Sequence, residues 1–340
     1  MDTDRYSRQR LFQPIGDMGQ ERLGAARVTL IGCGALGTHI AQHLVRAGVG
    51  FVRVCDRDFV EFDNLQRQVL FDEEDARQRM PKAAAAADRL LAANSDVTVE
   101  AQVVDVTPAN VLELIEGADV VVDGTDNFVT RFLLNDACVR EGIPWVYGGC
   151  VSSHGMVLAV LPGETPCFSC VVPDLPAPGS TATCDTAGVI GPAVGVVAAL
   201  QSAEVLKILV DDLSAVHRGL TTIDLWTNEF RALRVPRDPS CRACGQRDFR
   251  YLESELEAGT TTVLCGRNAV QITPPLGTRL DLAELEQRLS ALGPVRQNQY
   301  LLCFRQGELE ATLFADGRAV VKGTDEPTAA KAFYAKYVGS

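Results

Sequence analysis

The sequence is poor in positive charge, because its 340 residues include 32 Lys and Arg against 44 Asp and Glu, for a formal net charge of −12. A surface with this charge repels phosphodiester backbones, which argues against a nucleic-acid partner. Long hydrophobic runs are also missing, since the longest uninterrupted apolar segment, residues 187–200, is too short and too rich in glycine to span a bilayer. The polar first ten residues show no secretion signal, so we expect a cytoplasmic protein without a membrane partner.

The number of cysteines is odd, and none of the four histidines lies in an acid–base motif. Eleven cysteines without an export signal argue against a disulfide framework and favour reduced thiols with metal-binding or catalytic roles. His39 and His43 are four residues apart on a predicted helix but have no acidic partner motif, so we interpret them as surface or packing residues. His154 and His217 are isolated in the sequence.

Short apolar runs alternate with helical patterns through the first half of the chain. We predict strands at residues 27–31, 51–55, 97–104, 119–122 and 144–147, separated by helices at 36–47, 81–93 and 128–141. Such alternation predicts an α/β fold with a Rossmann-like, mostly parallel sheet and helices on both faces.

The pattern changes beyond residue 150. A strand at 156–161 with no long helix before it predicts an antiparallel extension of the sheet. A long loop, a buried helix at 189–210 and a hairpin that turns at Asn228 follow. We expect a first domain over residues 1–248, a linker over 249–260 and a small α+β domain over 261–340. In the last domain we predict strands at 261–272, 299–305, 308–314 and 319–321 and helices at 280–292 and 327–337.

A glycine motif, Gly32-Cys33-Gly34-Ala35-Leu36-Gly37, lies between the first predicted strand and the first predicted helix. In this position glycines permit a tight turn, and the helix N-terminus attracts an anionic ligand. Asp56 follows the second predicted strand, where a ribose-binding carboxylate is expected. These residues predict a nucleotide site but leave NAD, FAD, S-adenosylmethionine and ATP open. A tight turn without a ligand is the structural alternative.

Two cations and a further carboxylate are expected at the same edge of the sheet. Arg67 follows the second strand, Lys82 begins the alanine-rich helix, and Asp126 follows the fourth strand. An enzyme that breaks a phosphoanhydride needs cations beside the triphosphate and a carboxylate for Mg²⁺, whereas a dehydrogenase does not. Surface salt bridges and a helix cap are the alternative interpretation of these residues.

Four cysteines form two C-x-x-C pairs, Cys167 with Cys170 and Cys241 with Cys244. Four thiolates are the ligand set of a structural zinc site. The long separation between the pairs predicts that zinc joins the long loop to the segment after the hairpin. Two independent redox pairs are the alternative, which is disfavoured because neither pair opens a helix as a thioredoxin-type pair does.

Taken in order, these motifs resemble the ThiF/MoeB family, which is related to ubiquitin-activating enzymes. The resemblance covers about residues 4 to 248. It rests on Arg5 to Gln9, the glycine motif, Asn64 to Gln68, Pro81-Lys82, Thr125 to Asn127, both cysteine pairs and Thr183-Cys184. It implies ATP- and Mg²⁺-dependent adenylation of the C-terminal glycine carboxylate of a ubiquitin-like sulfur carrier similar to MoaD or ThiS, with release of pyrophosphate. Because such a carboxylate is already ionised at pH 7, this chemistry needs no general base.

The resemblance also implies a role for individual residues. The implied catalytic residues are Arg8, reaching the neighbouring subunit of a homodimer, Asn64, Arg67, Lys82, Asp126 and Cys184. The implied nucleotide-binding residues are Gly32, Gly34, Ala35, Gly37, Asp56, Asp58, Asn64, Leu65, Gln66, Arg67, Lys82, Asp126 and Asn127. The implied metal ligands are Cys167, Cys170, Cys241 and Cys244 for structural Zn²⁺ and Asp126 for Mg²⁺. A sulfur donor is a further candidate partner.

The sequence departs from the family pattern in two places. Ala35 stands where the family usually has a third glycine, which requires a negative φ at this position. The segment after residue 260 resembles no rhodanese domain of the family. Cys184 is either a thioester or disulfide site or a passive loop thiol, and the neighbouring Asp185 favours the passive role because it would raise the pKa of the thiol.

Two other functions remain open at this point. A NAD-dependent dehydrogenase would use the same fold, and a non-catalytic scaffold would bind a ubiquitin-like partner without turning over ATP. The cysteine pairs argue against the first, and the set of Arg67, Lys82 and Asp126 argues against the second. Molybdopterin, thiamine, tRNA-thiolation and cysteine routes are all compatible with the motifs.

Overall fold

The computed structural model describes residues 4–177, 184–254, 261–264, 268–275 and 278–339. The chain divides into two compact units, Met1–Ser254 and Glu255–Ser340. The first unit begins with two helices for which the sequence analysis made no prediction, α1 (Ser7–Arg10) and α2 (Gly16–Ala25).

An eight-stranded sheet organises the first unit. Its strands are β1 (Arg27–Ile31), β2 (Phe51–Cys55), β3 (Thr98–Gln102), β4 (Val120–Asp123), β5 (Trp145–Val151), β6 (His154–Val160), β7 (Leu220–Asp224) and β8 (Glu229–Leu233), in the order β3-β2-β1-β4-β5-β6-β7-β8. Pairing is parallel from β3 to β5 and antiparallel from β5 to β8. The predicted Rossmann-like fold class and its antiparallel extension are therefore confirmed.

Helices connect these strands. They are α3 (Ala35–Ala47), α4 (Glu73–Gln78), α5 (Lys82–Ala93), α6 (Val111–Ile115), α7 (Phe128–Glu141), α8 (Phe168–Val171), α9 (Cys184–Ala187) and α10 (Gly191–Leu209). The predicted long loop thus contains two short helices in its described part, α8 and α9. By length and composition, α10 is the one helix in the described ranges that is apolar enough to cross a bilayer. It packs against α3 and strands β4, β5 and β6, so it is a core helix of this unit.

The sheet register brings the strand ends that carry the motifs together. Ile31, the last residue of β1, is paired with Cys55 of β2 on one side and with Asp123 of β4 on the other. The segments that follow these three strands therefore leave the sheet side by side at its carboxyl edge. This edge is the usual ligand-binding edge of an open α/β sheet.

The second unit is an antiparallel sheet with two helices. Its strands are β9 (Thr261–Leu264), β10 (Ala269–Ile272), β11 (Val295–Gln297), β12 (Leu301–Gln306), β13 (Leu309–Phe314) and β14 (Ala319–Lys322), in the order β11-β12-β13-β14-β10-β9. The helices are α11 (Leu282–Ser290) and α12 (Pro327–Tyr337). Leu289 and Phe333 from the helices share one core with Phe304 and Val321 from the sheet.

The single strand predicted over residues 261–272 is wrong. The chain reverses there, so that Ala269 of β10 faces Leu264 of β9 in an antiparallel hairpin. Asn268 supplies a φ of 44°, in the left-handed region that asparagine tolerates better than most residues. The sequence Gly266-Arg267-Asn268 between the two apolar runs is a turn signal that the single-strand prediction did not take into account.

Candidate functional site

The glycine motif forms the turn between β1 and α3, and two of its glycines have no room for a side chain. Gly32 has a φ of +90°, and a Cβ there would lie 2.7 Å from the backbone of Gly124. A Cβ on Gly37 would lie 2.0 Å from the carbonyl oxygen of Gly32. Ala35 is the first residue of α3, so it has the negative φ of a helix and alanine is tolerated.

Gly34 is different, because the space beside it is open. Among the described residues, apart from its chain neighbours, the one atom within 4 Å of a Cβ placed there would be Nε2 of Gln68, at 3.8 Å. Gln68 is 3% exposed, and its Oε1 accepts no hydrogen bond from the residues that the structure describes. A buried amide without a full set of partners beside an open glycine turn is typical of a ligand site. Gln68 is the last residue of the sequence motif Asn64 to Gln68, but the motif alone assigned it no role in the site.

Asp56 ties the end of β2 to the glycine turn. Its Oδ2 accepts a hydrogen bond from the Cys33 amide at 2.6 Å, and its Oδ1 accepts one from the Asp58 amide at 2.7 Å. Burial raises the pKa of the Asp56 carboxyl, and the positive charge of Lys82 opposes that rise. Each carboxylate oxygen keeps a lone pair, so Asp56 can also accept a ribose hydroxyl.

Lys82 lies at the start of α5 beside these acidic residues. Its Nζ is 3.4 Å from Oδ2 of Asp58, and its backbone amide donates to the Asp58 carbonyl at 2.9 Å. The Lys82 side chain is 6% exposed. An ammonium group held this deep is a strong counter-charge for an anionic ligand, since the local dielectric is low.

The segment from Asn64 to Gln68 follows a 3-10 turn, Phe62–Asn64. Asn64 is buried, and its amide is engaged locally: Oδ1 accepts from the Glu61 amide at 3.3 Å and Nδ2 donates to Asp63 at 2.8 Å. Arg67 is half-buried and donates through Nη1 to the Asp63 carbonyl at 2.8 Å.

The two residues between Asn64 and Arg67 have different surroundings. Leu65 packs against the core of the first unit. Gln66 is exposed, and its carbonyl oxygen would lie 3.2 Å from a Cβ on Gly191, at the start of α10. The segment therefore runs between the glycine turn and the N-terminus of α10.

Asp126 is exposed in the loop after β4. It is two residues beyond Gly124, whose backbone touches Gly32. Its neighbour Asn127 caps α7 by accepting the Thr130 amide at 2.9 Å. The helix-cap interpretation is therefore correct for Asn127, whereas the Asp126 carboxylate lies at the edge where the glycine turn opens.

The two cysteine pairs meet in one cluster. The sulfur atoms are 3.9 Å apart between Cys167 and Cys170, 3.6 Å between Cys167 and Cys241, and 3.5 Å between Cys170 and Cys244. All four sulfur atoms lie within 4.8 Å of one another. A tetrahedral zinc site with Zn–S bonds of about 2.3 Å has sulfur–sulfur edges of about 3.8 Å. The cluster can therefore hold a metal ion, and its thiolate donors suit zinc.

Neighbouring residues of α7 hold both cysteine pairs. Asn135 Oδ1 accepts the amide of Phe168 at 2.9 Å, and Phe168 lies between Cys167 and Cys170. Asp136 binds the guanidinium of Arg242, which lies between Cys241 and Cys244, at 2.8 and 3.1 Å. Both α7 side chains are fully buried. Contacts with α7 therefore position both cysteine pairs, in addition to the contacts between the pairs themselves.

Arg8 lies far from the glycine turn of its own chain. The adjacent Gln9 donates to the carbonyl of Ala47, the last residue of α3, at 2.8 Å, whereas the glycine turn precedes the first residue of α3. Thirteen helical residues span about 20 Å. Arg8 is exposed and makes no ion pair or hydrogen bond within the described ranges.

Cys184 begins the short helix α9, but its side chain lies outside the described residues. His43 shares a hydrogen bond of 3.1 Å with Ser202 of α10, and His39 lies beside Gly195 of the same helix. His39 is half-buried and His43 is exposed, which agrees with their interpretation as packing or surface residues.

The model of the ThiF family matches residues 6–243. The chain belongs to the ThiF family. It is 48% identical over 340 residues to the sulfur carrier protein ThiS adenylyltransferase of Bacillus subtilis, with 99% of this chain and all of that protein aligned. It is 43% identical over 249 residues to the sulfur carrier protein adenylyltransferase of Thermus thermophilus, which covers 72% of this chain and 91% of that protein.

A solved structure extends the comparison of this ThiF-family chain to the fold. The crystal structure of Escherichia coli MccB with ATP has a TM-score of 0.62 and 27% identity, covering 72% of this chain and 75% of that one. The resemblance seen in the sequence motifs is therefore confirmed.

Proposed function

We propose that this protein uses ATP to adenylate the C-terminal glycine carboxylate of a ubiquitin-like sulfur carrier, with release of pyrophosphate. The chain belongs to the ThiF family and is 48% and 43% identical to two relatives that are named as adenylyltransferases. It is therefore an adenylyltransferase. The observation that carries the proposal is the convergence of the glycine turn, Asp56, Lys82 and the Asp126 loop at one sheet edge. This set favours adenylation over the dehydrogenase and scaffold alternatives.

The residues at this edge divide the work of the reaction. Asp56, with Asp58 beside it, accepts the ribose hydroxyls, and Lys82, Arg67 and Asn64 neutralise or bind the phosphates. The glycine turn leaves space beside Gly34 for a phosphate. The attacking carboxylate needs no base, because a terminal carboxyl with a pKa of about 3.5 is ionised at pH 7. The site therefore acts by positioning and by stabilising charge.

Asp126 is the residue that would hold Mg²⁺, because an exposed carboxylate at this edge is the oxygen ligand that the ion prefers. When bound, the ion neutralises charge that develops on the phosphates. The four-cysteine cluster would hold Zn²⁺ as a closed structural site, since all four donors come from the protein.

Arg8 completes the site of a second subunit in this proposal. Its own glycine turn is about 20 Å away, at the opposite end of α3. The exposed guanidinium has no partner in the described ranges, which leaves it available to another chain. A homodimer in which each subunit lends Arg8 to the other satisfies both observations.

A carrier similar to ThiS is the substrate that we infer. The Bacillus subtilis ThiS adenylyltransferase aligns along both units of this chain, whereas the Thermus relative aligns over 72% of it. The second unit is thus shared with an enzyme named for ThiS. We assign the first unit to adenylation and leave the second as an accessory domain. The cytoplasmic location remains a prediction.

The experiment combines the purified protein with ATP, Mg²⁺ and a ThiS-like carrier and measures carrier-dependent ATP–pyrophosphate exchange. Intact mass spectrometry of the carrier should show the addition of one AMP. A carrier whose terminal glycine has been deleted is the matched control and should support neither signal. Absence of exchange with every ubiquitin-like carrier tested, while the protein binds ATP, would refute the proposed function.

A further inference from the structure

Thr125, the residue before Asp126, is held on both sides by a buried ion pair. Asp123, the last residue of β4, accepts the Thr125 amide at 2.8 Å and the Thr125 hydroxyl at 2.6 Å through the same oxygen. Arg131, four residues into α7, donates through Nη2 to the Thr125 carbonyl at 2.7 Å. The backbone on both sides of the Thr125 side chain is therefore fixed.

The ion pair itself is enclosed. Arg131 Nε lies 3.3 Å from Asp123 Oδ2, and the two side chains are 9% and 0% exposed. Arg131 also donates to the Gly148 carbonyl at 3.4 Å, and its guanidinium lies over the rings of Phe128 and Tyr147. Gln201 of α10 donates to the Asp123 carbonyl at 2.8 Å. Residues of β4, β5, α7 and α10 thus contribute to the position of the loop.

Burying such a pair contributes little net stability, because the desolvation of both ions offsets their attraction. The hydrogen bonds of the pair converge instead on Thr125. The next residue, Asp126, must present its carboxylate in a defined direction. A guanidinium suits this task because its rigid fork reaches the Asp123 carboxylate and the Thr125 carbonyl together, whereas a lysine ammonium is a point charge on a flexible stem.

We propose that Arg131 is a positioning residue that, with Asp123, clamps Thr125 and thereby sets the direction in which Asp126 presents its carboxylate to Mg²⁺ and ATP. The inference rests on the proposed function, since it assigns a task to the loop that carries Asp126. Loss of an outer residue that orients a metal ligand typically lowers metal affinity or activity by about ten- to 100-fold.

The test compares R131K, which keeps the buried charge, with D126N and with R140K. Arg140 is on the same helix but forms a surface pair with Glu141, so R140K is the matched control. Hydrogen–deuterium exchange of a peptide over residues 120–130, measured without nucleotide, should be faster in R131K and unchanged in R140K. The Mg²⁺ concentration for half-maximal tightening of a fluorescent ATP analogue should rise about tenfold in R131K. Binding of the analogue in EDTA should be unchanged.

The outcomes separate the inference from the proposed function. If D126N raises the Mg²⁺ requirement and R131K leaves both the exchange rate and the Mg²⁺ requirement unchanged, Arg131 does not position the loop. A purely structural role would lower the melting temperature of R131K without shifting its Mg²⁺ requirement, and that result would also overturn the inference. If R131K does not fold, D123N/R131Q, which removes both charges, is measured against the same criteria. If the wild type lacks carrier-dependent exchange, the proposed function fails irrespective of Arg131.

Discussion

The guanidinium of Arg242 donates to both carboxylate oxygens of Asp136, from Nη2 at 2.8 Å and from Nη1 at 3.1 Å. This ion pair links the segment of Cys241 and Cys244 to α7, although Asp136 and Arg242 are 106 positions apart in the sequence. Asn135, the preceding residue of α7, accepts the amide of Phe168 and so links the segment of Cys167 and Cys170 to the same helix. One turn of one helix therefore organises the four-cysteine cluster.

We expect D136N to destabilise the first unit by about 3–5 kcal/mol, because the buried Arg242 charge then keeps only the more distant, part-exposed carboxylate of Asp248 at 4.0 Å. Urea unfolding followed by circular dichroism measures the change in the free energy of unfolding. E141Q, which breaks an exposed pair with Arg140 on the same helix, is the matched control and should cost at most about 1 kcal/mol. Equal losses in the two variants would contradict the importance of the Asp136–Arg242 pair.

Zinc content should depend on the cluster and not on thiols in general. C244S is expected to purify without stoichiometric zinc and to melt at a lower temperature, because three thiolates no longer close a tetrahedral site. C138A removes a buried thiol outside the cluster and should retain its metal. Elemental analysis by mass spectrometry checks both proteins. Full zinc occupancy in C244S would disprove the four-cysteine ligand set.

Arg67 should matter for the reaction and not for folding. R67A is expected to slow ATP–pyrophosphate exchange by about 100- to 1,000-fold, because a charge that stabilises the phosphates is lost. Its melting temperature should match that of the wild type, since Arg67 is half-exposed and, in the part of the chain that the structure describes, its side chain donates to the local carbonyl of Asp63 alone. R77A, which breaks an exposed pair with Glu73 and Glu74, is the control. Wild-type exchange by R67A would remove Arg67 from the site.

Exchange of subunits tests the placement of Arg8. R8A and K82A should each be inactive alone, whereas a mixture of the two should recover roughly a quarter of wild-type activity, because half of randomly formed dimers would contain one intact site. The recovery should follow the rate of subunit exchange after mixing. A mixture that stays inactive although heterodimers are detected by native mass spectrometry would show that Arg8 does not act across the dimer.

His39 and His43 predict a pH dependence of stability. Burial lowers the pKa of both side chains, and for His39 the neighbouring His43 lowers it further. The unfolded chain then binds protons that the folded chain does not, so stability is full above pH of about 6.5 and falls as the pH drops below it. Melting temperatures from pH 7.5 to 5.0 should fall less steeply in H39N/H43Q than in the wild type. Identical slopes in H39N/H43Q and the wild type would contradict this assignment.

The local features of this protein were readable from sequence because they depend on neighbours in the chain. Alternating strands and helices follow from hydrophobic period, the turn at Gly32 from the need for a positive φ, and the cysteine pairs from their short spacing. Short elements such as α2 and α6 were missed, because tertiary packing decides whether segments of that length form a helix.

Contacts between distant residues became visible only in the folded chain. Sequence spacing does not place Gln68 beside Gly34, Asp136 against Arg242, or Arg8 at the far end of α3 from the glycine turn. The amino-acid order by itself determined the fold class, the glycine turn and the two cysteine pairs, since each is encoded in a local pattern. Folding decided which side chains support those groups, because strand order and helix packing bring together residues that no local pattern connects.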